Sequence, residues 1–200
     1  MTHSHNLAQK MTLLITTSRE PTRRIRTLSH DLNRVIPGSQ QTNRGKLNHE
    51  GVIEEALALG LDRAMFLERW KGAPGKIELH LLRPNDRVYY PVIYLSSVTL
   101  QAEIRGNTSI RAGLTASITT RDLQLNHLAE ALASFLQIPL RINDDSSLST
   151  SPVFPPLPPR LFFESRGSRI TVTFKNKHDA EIGPRLEIKK VVWCDRSQLA

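Results

Sequence analysis

The sequence predicts an α/β fold: a mixed sheet with helices packed on one face, arranged as two similar halves. Two observations support this prediction. Segments rich in β-branched and aromatic residues alternate with amphipathic helical segments in the first half, and strand pairs with hairpin spacing follow them. The second half repeats this order more loosely. With 200 residues, of which 39% are hydrophobic, the chain can bury a core of domain size.

The domain plan predicted from composition is a flexible lead over residues 1–11 and one domain over 12–195. The halves of that domain cover about 12–85 and 86–195. A connector rich in serine and proline is predicted at 144–159. The apolar runs are too short to cross a bilayer, and the single cysteine excludes an internal disulfide. These features predict a cytoplasmic protein that does not enter a membrane.

The first half is predicted to open with a strand at 13–15 and a helix at 21–36. Ser18 is placed to cap that helix, and the Pro-Gly pair at 37–38 is placed to end it. Apolar side chains recur along it at three- and four-residue steps: Ile25, Leu28, Leu32 and Val35. This spacing gives the helix one apolar stripe for a core and leaves the opposite face to solvent or a ligand.

A second helix is predicted from an Asn48 cap to Gly60, with strands on either side of it. Its apolar side chains are expected in the core: Val52, Ile53, Ala56 and Leu57. The strands of this region are predicted at 39–43, 63–70 and 77–82, with more strand within 86–100. A loop is predicted at 71–76 because that segment contains two glycines and a proline.

The second half is predicted to contain one helix, capped by Thr119 or Thr120 and ending at Gln137. Its apolar face comprises Leu125, Leu128, Leu132, Phe135 and Leu136. A hairpin and a closing strand follow, with strands at 161–165, 170–174 and 186–193. This helix lacks the basic face that the first helix carries.

Positive charge is concentrated in residues 18–46, which contain seven cations and two acids. The cations are Arg19, Arg23, Arg24, Arg26, Arg34, Arg44 and Lys46. This stretch therefore carries five of the eight net positive charges of the chain. On a helical wheel Arg23, His30 and Arg34 lie opposite the apolar stripe. A face with one sign of charge favours an anionic ligand over ordinary solvation, since solvated faces usually mix signs.

The partner predicted from this charge is a nucleic acid first and an acidic membrane surface second. Nineteen of the 27 cations are arginine, which favours bidentate phosphate contacts. Glycine-containing turns at 43–46 and 71–76 add cations on backbone that can approach a phosphate: Arg44, Lys46, Lys71 and Lys76. Trp70 precedes the second turn, where its indole either stacks on an unpaired base or covers the core.

Catalytic and metal-binding signatures are missing from the sequence. It has no Walker-type phosphate loop, and no base can be assigned to activate Ser18 as a nucleophile. The seven histidines are scattered without the close spacing of a zinc site. We therefore expect no catalytic residue, no metal and no cofactor. An alternative, enzymatic hypothesis uses the Thr-Thr-Ser turn at 16–18 as a phosphate cradle.

Five segments follow one another in a characteristic order. They are Ile-Thr-Thr-Ser-Arg-Glu-Pro at 15–21, the helix ending at Pro37, Asn-Arg-Gly-Lys at 43–46, the loop at 70–76 and Gly-Pro-Arg-Leu-Glu-Ile at 183–188. In this order they resemble the Brix-domain family of ribosome-biogenesis proteins, in its short archaeal form. The resemblance implies two α/β halves, each similar to the anticodon-binding domain of class II tRNA synthetases. It also implies binding to ribosomal RNA, with ribosomal proteins or other assembly factors as partners, and no catalysis.

The sequence therefore predicts a non-enzymatic factor of ribosome biogenesis that binds ribosomal RNA. Its expected RNA contacts are Arg19, Arg23, Arg24, Arg26, Arg34, Arg44, Lys46, Lys71 and Lys76. One alternative is a protein-interaction scaffold in ribosome assembly, whose basic helix docks on an acidic partner and contacts RNA only incidentally. The other alternative is an enzyme that acts on a nucleotide or a tRNA.

Overall fold

The computed structural model describes residues 13–70, 73–82, 90–104, 114–118, 122–142, 159–167 and 169–193. In chain order the elements of these residues are β1 (Leu13–Thr17), α1 (Arg23–Val35), β2 (Ser39–Gln41), α2 (His49–Ala58), β3 (Arg63–Trp70), β4 (Ala73–Leu81), β5 (Val92–Thr99), a 3₁₀ helix (Gln101–Glu103), β6 (Thr115–Ile118), α3 (Leu123–Leu136), β7 (Leu140–Ile142), β8 (Arg160–Arg166), β9 (Arg169–Lys175) and β10 (Arg185–Val192). The predicted lead at 1–11 and almost all of the connector at 144–159 lie outside the described residues.

All ten of these strands belong to one mixed sheet in the order β2-β1-β3-β4-β5-β10-β9-β8-β6-β7. β1 pairs in parallel with β2 and β3, and β6 pairs in parallel with β7 and β8. The other neighbouring pairs are antiparallel. The order β7-β6-β8-β9-β10 thus repeats the order β2-β1-β3-β4-β5. The α/β class and the mixed sheet are confirmed, whereas the division near residue 85 and the likeness to tRNA-synthetase domains stay predictions.

The prediction that the helices share one face of the sheet is wrong for α2. Leu13 and Ile15 of β1 pack into the larger core with α1 and α3, while Leu14 between them packs into a second core with α2. Alternate residues of a strand point to opposite faces, so α2 covers the face opposite to α1. The strand order requires this. β2 and β3 flank β1 on opposite sides, so the connection through α1 and the connection through α2 cross the sheet in opposite directions. Crossover connections between parallel strands are almost always right-handed, and two such connections in opposite directions place their helices on opposite faces.

Both halves of the sheet contribute to the larger core. α1 buries its predicted apolar stripe there, and α3 buries all five residues of its predicted apolar face. The fully buried rings of Phe135, Phe163 and Phe174 lie in the same cluster. Each such side chain contributes about 1.5–3 kcal/mol when it leaves water. This shared core therefore holds both helices against one continuous sheet.

The N-cap of α1 is Thr22 rather than the predicted Ser18. The Thr22 hydroxyl accepts a hydrogen bond from the Ile25 amide (3.3 Å). The Ser18 amide instead donates to the Leu67 carbonyl (3.0 Å), which extends the β1–β3 pairing by one residue. Because sheet pairing engages Ser18, a hydroxyl four residues later caps the helix.

The predicted cap of α2 is confirmed, and the predicted caps of α3 are wrong. Asn48 Oδ1 accepts a hydrogen bond from the Gly51 amide (2.8 Å). At α3, Asp122 Oδ1 accepts from the amide two residues later (2.9 Å), so the cap is neither Thr119 nor Thr120. A carboxylate at this position also interacts favourably with the positive end of the helix dipole.

Two further predictions, one of a loop and one of burial, also need correction. β4 begins at Ala73, so most of the predicted loop at 71–76 is strand, and Lys76 pairs with Glu68 of β3. Leu57 of α2 is 48% exposed rather than buried. β6 and β7 have no counterpart among the predicted strands; they span only four and three residues, and the equally short β2 has a counterpart only within the longer predicted segment at 39–43.

One buried carboxylate connects α1 to the 3₁₀ helix that follows β5. Asp31 is 3% exposed, and its Oδ2 accepts a hydrogen bond from the Gln101 amide (2.8 Å) in the 3₁₀ helix. The Gln101 side-chain amide in turn donates to the Ile182 carbonyl (3.0 Å), between β9 and β10. A buried backbone amide without a partner costs about 1–3 kcal/mol. This chain of bonds therefore stabilises the junction of three elements.

We expect Asp31→Ala to lower the free energy of unfolding by about 2 kcal/mol, because it leaves the buried Gln101 amide without an acceptor. Urea denaturation followed by circular dichroism measures this change. The control is Glu54→Ala on the exposed side of α2, which should change stability by less than about 0.5 kcal/mol. An equally small effect of Asp31→Ala would contradict the structural role of this carboxylate.

Gly183 marks a second point where the halves approach closely. A Cβ atom at this position would lie 2.8 Å from the Phe174 Cβ and 2.9 Å from the Val35 Cγ1. We expect Gly183→Ala to lower the free energy of unfolding by about 1–3 kcal/mol, because buried backbone must move to relieve the overlap. Lys177→Ala, in the exposed turn between β9 and β10, is the control. Thermal denaturation measures the change. If Gly183→Ala has the melting temperature of the wild type, the close packing around Gly183 is not present in solution.

Candidate nucleic-acid interface

The outer face of α1 carries exposed cations. Arg23, Arg26 and Arg34, here called the arginine row, are exposed and have no acidic partner among the described residues. The first and last of them are eleven residues apart, so the row extends about 16 Å along the helix. The exposed His30 lies between them. Asp31, the one acid of this helix, is buried on the core side.

Two members of the arginine row, Arg23 and Arg26, lie near the amino-terminal end of α1, where a cation is electrostatically unfavourable in the absence of an anion. Arg34 lies in the last turn, where the helix dipole favours a cation. The amino-terminal end of a helix carries roughly half a positive charge, which repels nearby cations. Arg23 and Arg24 occupy the first turn of α1, where no acid stands, and Arg26 follows directly. A phosphate beside this end of the helix would relieve the repulsion. The arrangement therefore favours an anionic ligand.

Arg24 lies beside the arginine row but is already paired. Its Nη1 and Nη2 donate to Glu103 Oε1 (2.7 Å) and Oε2 (2.8 Å), and Nη2 also donates to the Val98 carbonyl. The hydrogen bonds between the two side chains raise the pKa of Arg24 and lower that of Glu103. The two residues are 79 positions apart, so no sequence pattern connects them. We leave Arg24 out of the interface for this reason.

A second basic group lies at the carboxyl ends of β1 and β2. The chain leaves β1 towards α1 on one face and leaves β2 towards α2 on the other, which makes this pair of strands a topological switch point of the sheet. Switch points at the carboxyl ends of strands are the usual ligand sites of open α/β sheets. Arg19 follows β1, Lys46 follows β2, and both are exposed. Arg19 Nε donates to the Leu47 carbonyl (3.3 Å), which holds the two turns together.

Arg44 belongs to the same turn but faces the protein interior. It is 6% exposed, its Nε donates to the Leu47 carbonyl (3.1 Å), and its guanidinium lies 5.6 Å from the centroid of the Phe66 ring. Glu68 Oε1 is 3.7 Å from its Nη1. Burial lowers the pKa of Arg44, although Glu68 opposes the shift. Arg44 stabilises the turn, so we leave it out of the interface.

Lys76 is held between two carboxylates on the sheet. Its Nζ lies 2.5 Å from Glu68 Oε2 and 2.6 Å from Glu78 Oε1. Burial acts to lower the pKa of Lys76, but the hydrogen bonds to the two carboxylates raise it overall. Because its charge is already compensated, Lys76 is also left out. Lys71 lies outside the described residues.

The phosphate cradle of the enzymatic hypothesis is not assembled at residues 16–18. Thr16 and Thr17 are buried, and their hydroxyls donate to the carbonyls of Thr42 (3.3 Å) and Ser18 (3.2 Å). The Ser18 amide pairs with β3, and the Ser18 hydroxyl, although it has no hydrogen-bond partner in the described part of the chain, is buried away from solvent. A phosphate cradle needs free donors that point at the ligand. The geometry of this turn therefore gives the enzymatic hypothesis no support.

Trp70 is partly covered by the sheet. Its side chain is 42% exposed, and its ring meets Tyr94 edge-on with 4.8 Å between the centroids. The indole thus packs against a neighbouring strand on one side and is open to solvent on another. Both hypotheses for Trp70, base stacking and core cover, are compatible with this position.

The chain is similar to archaeal proteins along most of its length. It is 41% identical over 122 residues to a "Probable Brix domain-containing ribosomal biogenesis protein" of Pyrococcus horikoshii, which covers 60% of this chain and 54% of that protein. A protein of the same name from Methanococcus maripaludis is 28% identical over 183 residues, covering 92% of this chain and 99% of that one. The crystal structure of a probable ribosomal biogenesis protein from Aeropyrum pernix matches with a TM-score of 0.72 at 27% identity, over 90% of this chain and 96% of that chain. No family model matches the sequence.

These similarities confirm the family that the five sequence segments indicated. The chain belongs to the family of Brix domain-containing proteins, of the archaeal type. It spans about half the length of the Pyrococcus relatives that it matches. Within the part of the chain that the structure describes, no helix has the length and apolar character to span a membrane.

The pairing of Arg24 with Glu103 predicts a coupled effect on stability. We expect Arg24→Gln and Glu103→Gln each to lower the melting temperature slightly, and the double variant to lower it by less than the sum, because both changes remove one interaction. Thermal denaturation of the wild type, the two single variants and the double variant measures the interaction between the two side chains. Additive effects would show that the two side chains do not interact in solution.

Proposed function

We propose that this protein takes part in ribosome biogenesis by binding ribosomal RNA, without catalysis. The proposed interface is the arginine row of α1 together with Arg19 and Lys46 at the carboxyl ends of β1 and β2. The names of the archaeal relatives support the biological process. The charge and exposure of these side chains support the ligand. Ribosomal proteins or other assembly factors are proposed as further partners, in the cytoplasm.

The observation that carries this proposal is the single sign of charge on the outer face of α1. Three exposed arginines without an acidic partner among the described residues lie on it, and the acid of this helix is buried. The equivalent helix of the second half, α3, exposes Gln124, His127 and Glu130 instead. The helices occupy corresponding places in the repeated strand order, so packing alone does not account for the difference. Binding of an anionic ligand by α1 accounts for the difference in charge between the two helices.

The shape of the arginine row suits a nucleic-acid backbone better than a small anion. A length of about 16 Å corresponds to roughly five nucleotide steps of a helical strand. Guanidinium groups bind phosphate through two parallel hydrogen bonds, which fixes the orientation of the ligand. Phosphate contacts carry no base information, so this face recognises the shape and charge of an RNA rather than its sequence.

The triple variant Arg23→Glu, Arg26→Glu, Arg34→Glu tests the interface. We expect it to bind ribosomal RNA fragments at least about tenfold more weakly than wild type, because three phosphate contacts become repulsive. Fluorescence anisotropy with labelled fragments, at several salt concentrations, measures the affinity. The slope of log K against log salt should decrease by about two to three in magnitude.

The matched control carries the same change of charge on another surface: Lys177→Glu, Lys189→Glu and Lys190→Glu, all at exposed positions. It should retain most of the wild-type affinity. Equal losses in the two triple variants would show that net charge, and not the outer face of α1, determines binding. Unchanged affinity in the arginine variant would also reject the interface.

A protein-interaction scaffold is the competing hypothesis, and one observation favours it. Leu57 and Leu59, at the carboxyl end of α2, are 48% and 52% exposed, and they lie on a different helix from the arginine row. Neighbouring exposed leucines can form an apolar contact surface. A scaffold predicts a specific protein complex that survives ribonuclease, together with weak binding to purified RNA. Affinity purification with and without ribonuclease therefore distinguishes the two functions.

A further inference from the structure

Two histidines and a glutamate from separate parts of the chain meet beside α2. His49 is the first residue of α2, and Glu78 and His80 lie two residues apart on β4. One donor atom from each, an imidazole nitrogen or a carboxylate oxygen, lies within 4.8 Å of the other two. All three side chains are partly exposed, so an ion can reach them from solvent.

The Phe66 ring of β3 holds both imidazoles in place. It stacks on His49 with 4.5 Å between centroids and an interplanar angle of 19°, and it meets His80 edge-on at 5.0 Å. Phe66 itself is fully buried in the smaller core. Because these contacts limit rotation of the two rings, the donor atoms stay close to one another without an ion.

The nearby carboxylates each direct one oxygen at an imidazole and the other at a lysine. Glu78 Oε1 is 2.6 Å from Lys76 Nζ, and Glu78 Oε2 is 3.5 Å from His80 Nε2. Glu68 is arranged in the same way: its Oε2 lies 2.5 Å from Lys76 Nζ, and its Oε1 lies 3.3 Å from His49 Nε2. Lys76 thus orients both carboxylates through one oxygen and leaves the other oxygen facing the histidines.

We propose that His49, Glu78 and His80 bind a divalent transition metal, for which Zn²⁺ is the best match. Two imidazole nitrogens and a carboxylate oxygen form a zinc ligand set, whereas Ca²⁺ and Mg²⁺ prefer oxygen ligands alone. With metal–ligand bonds of about 2.0–2.1 Å, the donors of a tetrahedral site stand about 3.3 Å apart. Small side-chain rotations therefore bring the three atoms into range. A fourth position is left for water or for Glu68.

The ion would join the amino-terminal end of α2 to β4 and so hold the helix against the sheet. It would lie near Glu68, which also faces Arg44 of the turn that carries Lys46. Lys76 competes with the ion for the carboxylate oxygens, so we expect weaker binding than at closed zinc sites with four protein ligands. The geometry of this site does not require a bound RNA.

The test uses the full chain without an affinity tag and with His3→Ala and His5→Ala, because histidines near the amino terminus bind metal ions by themselves. Titration of Zn²⁺ in competition with a chromophoric chelator is expected to show one ion per chain. Glu78→Gln and His80→Ala should each weaken binding at least about tenfold. His30→Ala, which removes an exposed histidine from α1, should leave binding unchanged.

Thermal denaturation provides a second readout. Zn²⁺ is expected to raise the melting temperature of the parent chain relative to a sample in chelator, and to have no such effect on His80→Ala. If the parent chain takes up no Zn²⁺, the proposal is wrong whether or not the variants fold. Binding that survives both Glu78→Gln and His80→Ala also overturns it and identifies an adventitious ion only.

Discussion

The antiparallel pairing of β5 with β10 is the interaction on which the rest of this structure depends. It joins two five-stranded arrangements of the same order into one sheet. Because the sheet is continuous, α1 and α3 bury their apolar faces in one core. Gln101 lies two residues after the end of β5, while Ile182 and Gly183 lie three and two residues before the start of β10. The buried bonds of Asp31 and the close approach at Gly183 therefore secure the same junction that the strand pairing creates.

The tertiary structure divides the cations of the basic stretch into two groups. Arg24 and Arg44 contact acidic or aromatic side chains of the same chain, while the arginine row has no acidic partner among the described residues. The partners, Glu103 and Glu68, come from distant segments of the chain. Attraction between charges is strong only at a few ångströms, so charge spacing along the sequence does not reveal which cations are neutralised. What remains for a ligand is a smaller and more one-sided surface than the sequence suggested.

The position of α2 explains the smaller core and the polar cluster beside it. α2 covers β1 and β3 on the face that α1 leaves open, which accounts for the complete burial of β1. At the amino-terminal end of α2 the apolar cover ends, and polar side chains take its place on the sheet. Glu68, Lys76 and Glu78 satisfy one another there, next to the two histidines. A helix packed on the predicted face would not have assembled this group.

The sequence by itself determined most helix and strand positions, the cap of α2 and the family. These depend on periodicity and on bonds between near neighbours in the chain, or on the order of short motifs. Only the tertiary structure decided the face of α2, the cations left for a ligand and the meeting of His49 with Glu78 and His80. Strand alternation places Glu78 and His80 on one face, but the start of α2 beside them cannot be inferred from spacing. Strand order fixes these features, and it arises from contacts between residues far apart in sequence.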